Sequence, residues 1–256
     1  MNNTSHKVLS FLIQESTNSK IWPPIWPLKV YLRYLYRLCA LKLLSLNVGL
    51  PRQVKFQNEL VTTGIFKEPV SGRVKLRKLN LDGDKQADLT VHGGADKAIY
   101  AYAGEHYSYW NKELHGMSLP WGMFGENFTT QGMLEEMVNI GDQFQVGTAK
   151  VVATQPRMPC YKLGVKFGRM DIIKKFLASG LTGVYFKVMK EGELEQGDEI
   201  KLIKKDENNV TIKDIVRLYT VNKDDLQTME RAVKVKDLPN GWRFHFIEQL
   251  KQARKK

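Results

Sequence analysis

Cys160 stands in TQPRMPCYKLG, residues 154–164, behind Pro156 and Pro159 and between Arg157 and Lys162. A free cysteine is usually a small buried hydrophobe. Here no continuous apolar run surrounds it, the prolines stiffen the backbone, and the two cations can stabilise a thiolate. Those features point to a metal ligand or a nucleophile. A thiolate nucleophile needs a positioned base, usually histidine. Of His6, His92, His106, His115 and His245, only His92 has neighbours shaped for binding. It heads HGGADK, residues 92–97, in which Gly93 and Gly94 let the backbone approach a ligand and Lys97 adds positive charge. That arrangement suits an oxygen-rich anion; the alternative is a tight turn with a solvated lysine.

GMFGENFTTQG, residues 122–132, is a second glycine-bracketed polar loop. After Gly125, Glu126 can accept from ring N–H groups, and Asn127 can offer donors and an acceptor to a heterocycle edge. Such stretches also occur as plain loops. NVGLPR, with Arg52, and GIFKEPV, with Lys67, supply further cations in weaker contexts. Zinc is disfavoured, since there is no CxxC pair or HExxH helix and one cysteine cannot build a structural zinc site. Neither GxGxxG nor a Walker-type loop occurs, so a dinucleotide or P-loop nucleotide is not indicated.

The 256-residue chain is 43% hydrophobic and 26% charged, a globular composition able to bury a large core. Its two cysteines, Cys39 and Cys160, lie far apart in unlike surroundings. That argues against a disulfide framework and for a reducing, cytoplasmic compartment. The net charge of +12 would suit nucleic acid, a membrane surface or an anionic small molecule. The basic residues are scattered, however, and no RNP-like, zinc-finger or basic-zipper pattern appears, so nucleic acid is not expected as a partner.

The elements that must position these residues fall into three sections, 1–40, 41–205 and 211–256. In the first, IWPPIWP at 21–27 cannot be regular helix or central strand because its prolines remove amide donors. Residues 28–46 then carry Lys29, Arg33 and Arg37 at four-residue spacing on an otherwise apolar stretch. As a helix it could lie on an anionic membrane surface, but its charges disfavour a membrane span and it fits a secretory signal poorly. The other reading is that translation starts at Leu41, leaving residues 1–40 as upstream sequence. From Leu43 to about Lys204, short β-branched and alternating runs bounded by Gly-Asp turns at 83–84, 141–142 and 197–198 predict a β-barrel or sandwich. Helical spacing interrupts it at 103–114 and again in RMDIIKKFLAS, which Gly180 stops. In the third section TIKD, 211–214, matches a capping box. Leu226, Met229 and Val233, then Trp242, Phe246 and Leu250, mark single helical faces, giving three short helices around a small core.

Taken together and in this order, LDGDKQADLTVHGGADKAIYAY (81–102), GMFGENFTTQGMLEEMVNIGD (122–142) and TQPRMPCYKLG resemble the MOSC-domain family and its YiiM-like branch. The resemblance spans roughly residues 43–255. It implies a β-barrel followed by a three-helix C-terminal domain, and it implies the molybdenum cofactor, a molybdopterin, with Cys160 as molybdenum ligand. One thiolate beside a dithiolene is sensible for a soft-ligand site. On the same footing, Lys97 and Arg157 would neutralise phosphate, with Lys67 and Arg52 as helpers. Gly93, Gly94 and Gly125 would shape the loops, Glu126 and Asn127 would address the pterin or order the pocket, and His92 would relay or orient protons. The implied activity is two-electron reduction of N-hydroxylated small molecules, hydroxylaminopurines among them, with electrons from a separate reductase. The alternatives are a non-catalytic carrier of the cofactor or of sulfur as a Cys160 persulfide, and a basic nucleic-acid-binding barrel.

Overall fold

The computed structural model describes residues 40–87 and 93–255. Readings made for residues 1–39, including the basic stripe and Cys39, and for His92 lie outside them. The strands are β1 (Lys42–Val48), β2 (Arg52–Phe56), β3 (Glu59–Thr63), β4 (Glu68–Val70), β5 (Val74–Leu76), β6 (Ile99–Ala103), β7 (Phe128–Gln131), β8 (Gln143–Val146), β9 (Ala149–Pro156), β10 (Val184–Lys190), β11 (Gly192–Leu194) and β12 (Ile200–Lys204). The helices are α1 (Glu105–Glu113), α2 (Tyr161–Phe167), α3 (Asp171–Ser179), α4 (Ile212–Thr220), α5 (Leu226–Ala232) and α6 (Asn240–Ala253).

The expected mainly β architecture is present as an eight-stranded mixed sheet ordered β12-β8-β9-β10-β6-β7-β1-β4. The sheet curls. Backbone bonds from Leu43 N–H to Asp198 C=O (2.9 Å), Gly197 N–H to Leu43 C=O (2.7 Å) and Ile200 N–H to Leu41 C=O (2.8 Å) tie the start of β1 to the entry of β12. One expectation is corrected here. The helix allowed through Leu46 does not extend that far, because from Lys42 the chain is strand, paired to β7 and β4. A short apolar run fits both periods. Partners on both sides decide between them by satisfying the backbone in a ladder while Leu43 and Leu46 enter the core.

β6 divides the interior. Its sequence IYAYA is buried throughout, and successive side chains point to opposite faces of the sheet. Ile99 and Ala101 join the main core, whereas Tyr100 and Tyr102 join an aromatic cluster with Trp110, Phe124 and Phe176. The main core also holds Ile212, Ile215, Met229, Phe246 and Leu250, so α4 to α6 share it with the sheet. β6 and β7 run parallel, which demands a crossover; residues 104–127, with α1, supply it. Among the described residues no helix is long and apolar enough to cross a membrane.

The expected capping box opens α4. Thr211 Oγ1 accepts from the Asp214 N–H at 3.0 Å, and the Asp214 carboxylate accepts from the Thr211 N–H at 3.0 Å. Two amide donors that the first helical turn leaves over are thereby satisfied. Thr211→Ala is expected to lower the unfolding free energy by about 1 kcal/mol. In urea titration this reads as a lower midpoint at unchanged slope.

Candidate cofactor site

Strand β9 ends at Pro156, and the next four residues carry the chain across the end of the sheet into α2. Cys160 precedes α2 in extended conformation and is half-buried. Next to it the register β9-β10-β6 sets Tyr185 against Gln155 on one side and against Tyr100 on the other. The two phenol rings lie 5.2 Å apart. The Arg157 guanidinium sits 4.9 Å from the Tyr100 ring centre and 5.5 Å from that of Phe176.

These groups line one cleft. Lys67, Lys97, Arg157 and Lys162 contribute cations, Cys160 the thiol, and Tyr100, Tyr185, Met158, Gly125 and Asn127 much of the remaining wall. Among the described residues no carboxylate lines it. Gly125 takes φ +79°, and a Cβ there would stand 2.7 Å from Ile65 Cγ1, so only glycine lets the loop approach this closely. The enclosed volume is about 90 Å³. Pockets that surround a whole drug-sized ligand hold about 300 Å³ or more, so the enclosed part receives one end of a ligand.

Charge is balanced behind the wall. Buried Asp84 accepts from Lys67 Nζ, from the Gly49 N–H at 3.0 Å and, through its other oxygen, from Asn127 Nδ2 at 3.0 Å. Asn127 Oδ1 accepts in turn from the Tyr100 N–H at 3.2 Å. Burial holds the Lys67 amine below the usual lysine value against the pull of Asp84. It does the same to half-buried Lys97 against the pull of Asp96 and Cys160. Arg157 is 6% exposed, and its Nη1 is buried with no hydrogen-bond partner among the described residues. An orphaned cationic donor is costly unless a ligand answers it.

Each expected site residue except His92 has a definite place. Cys160, Lys67, Lys97, Gly125, Asn127 and Arg157 come together in this cleft. Glu126 lies beneath it, fully buried, accepting from the Gly122 N–H (2.8 Å), the Phe124 N–H (3.1 Å), the Thr129 hydroxyl (3.0 Å) and the Tyr107 hydroxyl. It orders the loop rather than facing a ligand. Arg52 lies outside the cleft lining, 4.1 Å over the Phe66 ring and 3.9 Å from Glu68. Gly93 and Gly94 line a second cleft that shares Lys97 and Met158 with the first. His92 is outside the described residues. Sequence reasoning missed Asp84, read only as half of a Gly-Asp turn, and Tyr100 and Tyr185. The signal for Tyr100 was a phenol at alternate positions of the otherwise apolar strand β6; Tyr185 had no such signal in β10.

Among the described residues no three His, Cys, Asp or Glu side chains cluster as a metal site. A metal bound at Cys160 must therefore bring further ligands with it. An anion-bearing group with a soft metal fits this donor set: cations for the anion, an orphaned Arg157 donor and one thiol. Comparison with known proteins gives the family. Residues 88–201 match the MOSC domain. The chain is 38% identical over 206 residues to the uncharacterized protein YflK of Bacillus subtilis, covering 80% of this chain and 93% of YflK. Its structure superposes on the crystal structure of YiiM from Geobacillus stearothermophilus with a TM-score of 0.69 and 34% identity, over 82% of this chain and 99% of that one. The chain belongs to the MOSC family, in its YiiM-like branch. A Gibberella moniliformis protein named a reductase is 31% identical over 152 residues, which are 57% of this chain and 26% of that longer protein. MOSC domains are associated with the molybdenum cofactor, and the thiol cleft of this MOSC protein is where the chemistry of its own residues fits such a group.

Three outcomes are expected. Glu126→Gln places an amide NH₂ against the Phe124 N–H and leaves a buried donor unanswered, lowering the unfolding free energy by about 1–3 kcal/mol in urea titration. Sulfate, whose charge is constant over the range, binds the cofactor-free protein more weakly as pH rises through the lowered Lys97 value, before the 10.5 of an ordinary lysine. Loss of the ammonium charge sets that sign. Arg157→Met lowers the sulfate affinity at every pH by about tenfold, as expected for a charge-assisted hydrogen bond, read by calorimetry.

Proposed function

We propose that this MOSC protein is a molybdenum-cofactor-dependent reductase of N-hydroxylated compounds. The observation that carries the reading is a cation-lined cleft that, among the described residues, holds a single thiol and no carboxylate, beside a buried arginine Nη1 with no hydrogen-bond partner among those residues. The Gibberella relative named a reductase supports it. When bound, the cofactor supplies two-electron chemistry at a metal carried by its dithiolene.

The chain's residues do the rest. Cys160 Sγ is the protein's soft ligand to the metal. Arg157 and Lys97, with Lys67 fixed by Asp84, neutralise the phosphate. Tyr100 and Tyr185 close the floor and keep water from the buried side. The net reaction, R–NHOH + 2e⁻ + 2H⁺ → R–NH₂ + H₂O, consumes protons, and half-buried Lys97 is the described group at the cleft placed to hold one at Nζ. No flavin, haem or iron–sulfur signature is present in the sequence, so a separate cytoplasmic reductase is the electron source in this reading.

Cys160→Ser tests it, because the hydroxyl nearly preserves size and removes the soft ligand. The wild type is expected to carry stoichiometric molybdenum by elemental analysis and to reduce 6-hydroxylaminopurine with a dye donor. The serine variant should lose at least tenfold in both. Full metal content and turnover in Cys160→Ser would overturn the assignment, and labile sulfane sulfur without turnover in the wild type would make the protein a carrier.

A further inference from the structure

The cations of the thiol cleft continue onto the outer surface. Helix α2 carries Lys162, which lines the cleft, and Lys166, one helical turn further on and therefore on the same face of the helix. Tyr161, 49% exposed, stands between Cys160 and Lys162 in the chain. Phe66, the residue before Lys67, holds two cations on its ring. The Arg52 guanidinium lies 4.1 Å from the ring centre and the Lys166 ammonium 4.8 Å. The activity argued above uses neither Arg52 nor Lys166.

These charges are only partly answered. A ring attracts a cation through its quadrupole but brings no opposite charge. Elsewhere on the surface carboxylates pair with the cations: Asp82 with Arg77 at 2.9 Å, Asp171 with Arg169 at 2.6 Å and Glu136 with Lys213 at 3.7 Å. Among the described residues Lys162 and Lys166 have no such carboxylate, and Arg52 has only the exposed Glu68 at 3.9 Å. Burial holds the Lys166 amine below the ordinary lysine value; Glu126 pulls it up, and Arg52 and Lys67 push it further down. Like charges gathered this way repel one another, and an anionic partner relieves the repulsion. The group borders the opening through which Cys160 is reached, so whatever it holds is placed at the thiol cleft. A nucleic acid needs a groove of cations that tracks its backbone. This group is compact, and the face of a small acidic protein fits it.

We propose that the collar of Arg52, Lys162 and Lys166 is the docking surface for an acidic one-electron carrier protein, which delivers its electrons at the mouth of the thiol cleft. The proposal rests on the reductase reading and adds to it the surface and the chemistry of the partner. Two reduced carriers each lose one electron per turnover. These are the two electrons of R–NHOH + 2e⁻ + 2H⁺ → R–NH₂ + H₂O, with the protons drawn from solvent. The contact is small and electrostatic, as in transient redox encounters, and its rate of formation falls with salt.

Calorimetry with oxidised flavodoxin, an acidic flavin carrier, tests this on the full-length, cofactor-loaded protein without needing turnover. The wild type is expected to bind it at about 0.01 M salt, where charges act over about 30 Å, and about tenfold more weakly at 0.15 M, where they act over about 8 Å. The double variant Arg52→Gln, Lys166→Gln should bind about tenfold more weakly at the lower salt, the scale of two exposed ion pairs. Arg52→Lys with Lys166→Arg keeps both charges and should stay within about threefold of the wild type. Lys201→Gln with Lys213→Gln removes the same charge elsewhere and should stay within about twofold. In turnover of 6-hydroxylaminopurine, the Arg52→Gln, Lys166→Gln protein should lose kcat/KM for reduced flavodoxin by the same factor, while reduced benzyl viologen, a small cation, drives it as it drives the wild type. Flavodoxin that fails to bind the wild type, or binds the two glutamine pairs alike, overturns the proposal, as does a loss of oligonucleotide binding in Arg52→Gln, Lys166→Gln with flavodoxin binding unchanged. Docking as described without turnover from either donor would sink the reductase reading and leave the surface standing; viologen-driven turnover without flavodoxin binding would do the reverse.

Discussion

Lys67 can be buried in the wall of a cationic cleft because Asp84 answers its charge from behind. An uncompensated ammonium in that position would be strongly disfavoured. The same carboxylate takes the Gly49 amide and the Asn127 side chain, so one anion holds together three segments far apart in sequence, near residues 49, 67 and 127. The cleft face itself is left free of carboxylates among the described residues. The described residues thus make a net positive recess and put no opposing charge inside it. Arg157 uses a different compensation, lying on the π-faces of Tyr100 and Phe176.

The division of the interior by β6 follows from strand geometry. With every residue of IYAYA buried, alternation sends small and aliphatic side chains to the main core and tyrosines to the other face. That other face is both packing and site: Tyr102 is enclosed with Trp110 and Phe124, while Tyr100 reaches the cleft. The packing around Trp110 and Phe124 therefore braces the ring under Arg157, and the aromatic cluster connects stability to the chemistry of the recess. The C-terminal helices are joined to the sheet through the main core, which fixes the aromatic residues of α4 and α6 beside the turn at Ala95–Lys97.

How much of the site was legible varies with the kind of signal. Cys160, Arg157, Lys97 and Asn127 stood out because prolines, glycines and charge marked their loops, and the fold gathers them. Glu126 stood out equally, yet it is a loop anchor, since a carboxylate two to four residues beyond free amides closes onto them. Arg52 had only its charge to recommend it, and a surface ring and Glu68 take that charge instead. Asp84 was hidden by its resemblance to an ordinary turn residue. Its role depends on Lys67 and Asn127 arriving from elsewhere, and nothing local to Gly83-Asp84 announces that.

The sequence alone determined what depends on chain neighbours: the strand and helix periods, the glycine turns, the Thr211–Asp214 cap, and the loop that carries one thiol among basic residues. Each is a matter of backbone conformation or of side chains within a few residues, and local physics suffices. Strand register and shared core decided the remainder. They set Tyr185 beside Tyr100, brought Asp84 behind Lys67, and turned Gly93 and Gly94 towards Trp242 and not into the thiol cleft. Those pairings are between segments seventeen or more residues apart, whose relative position is fixed only when the curled sheet and its helices bury one common interior.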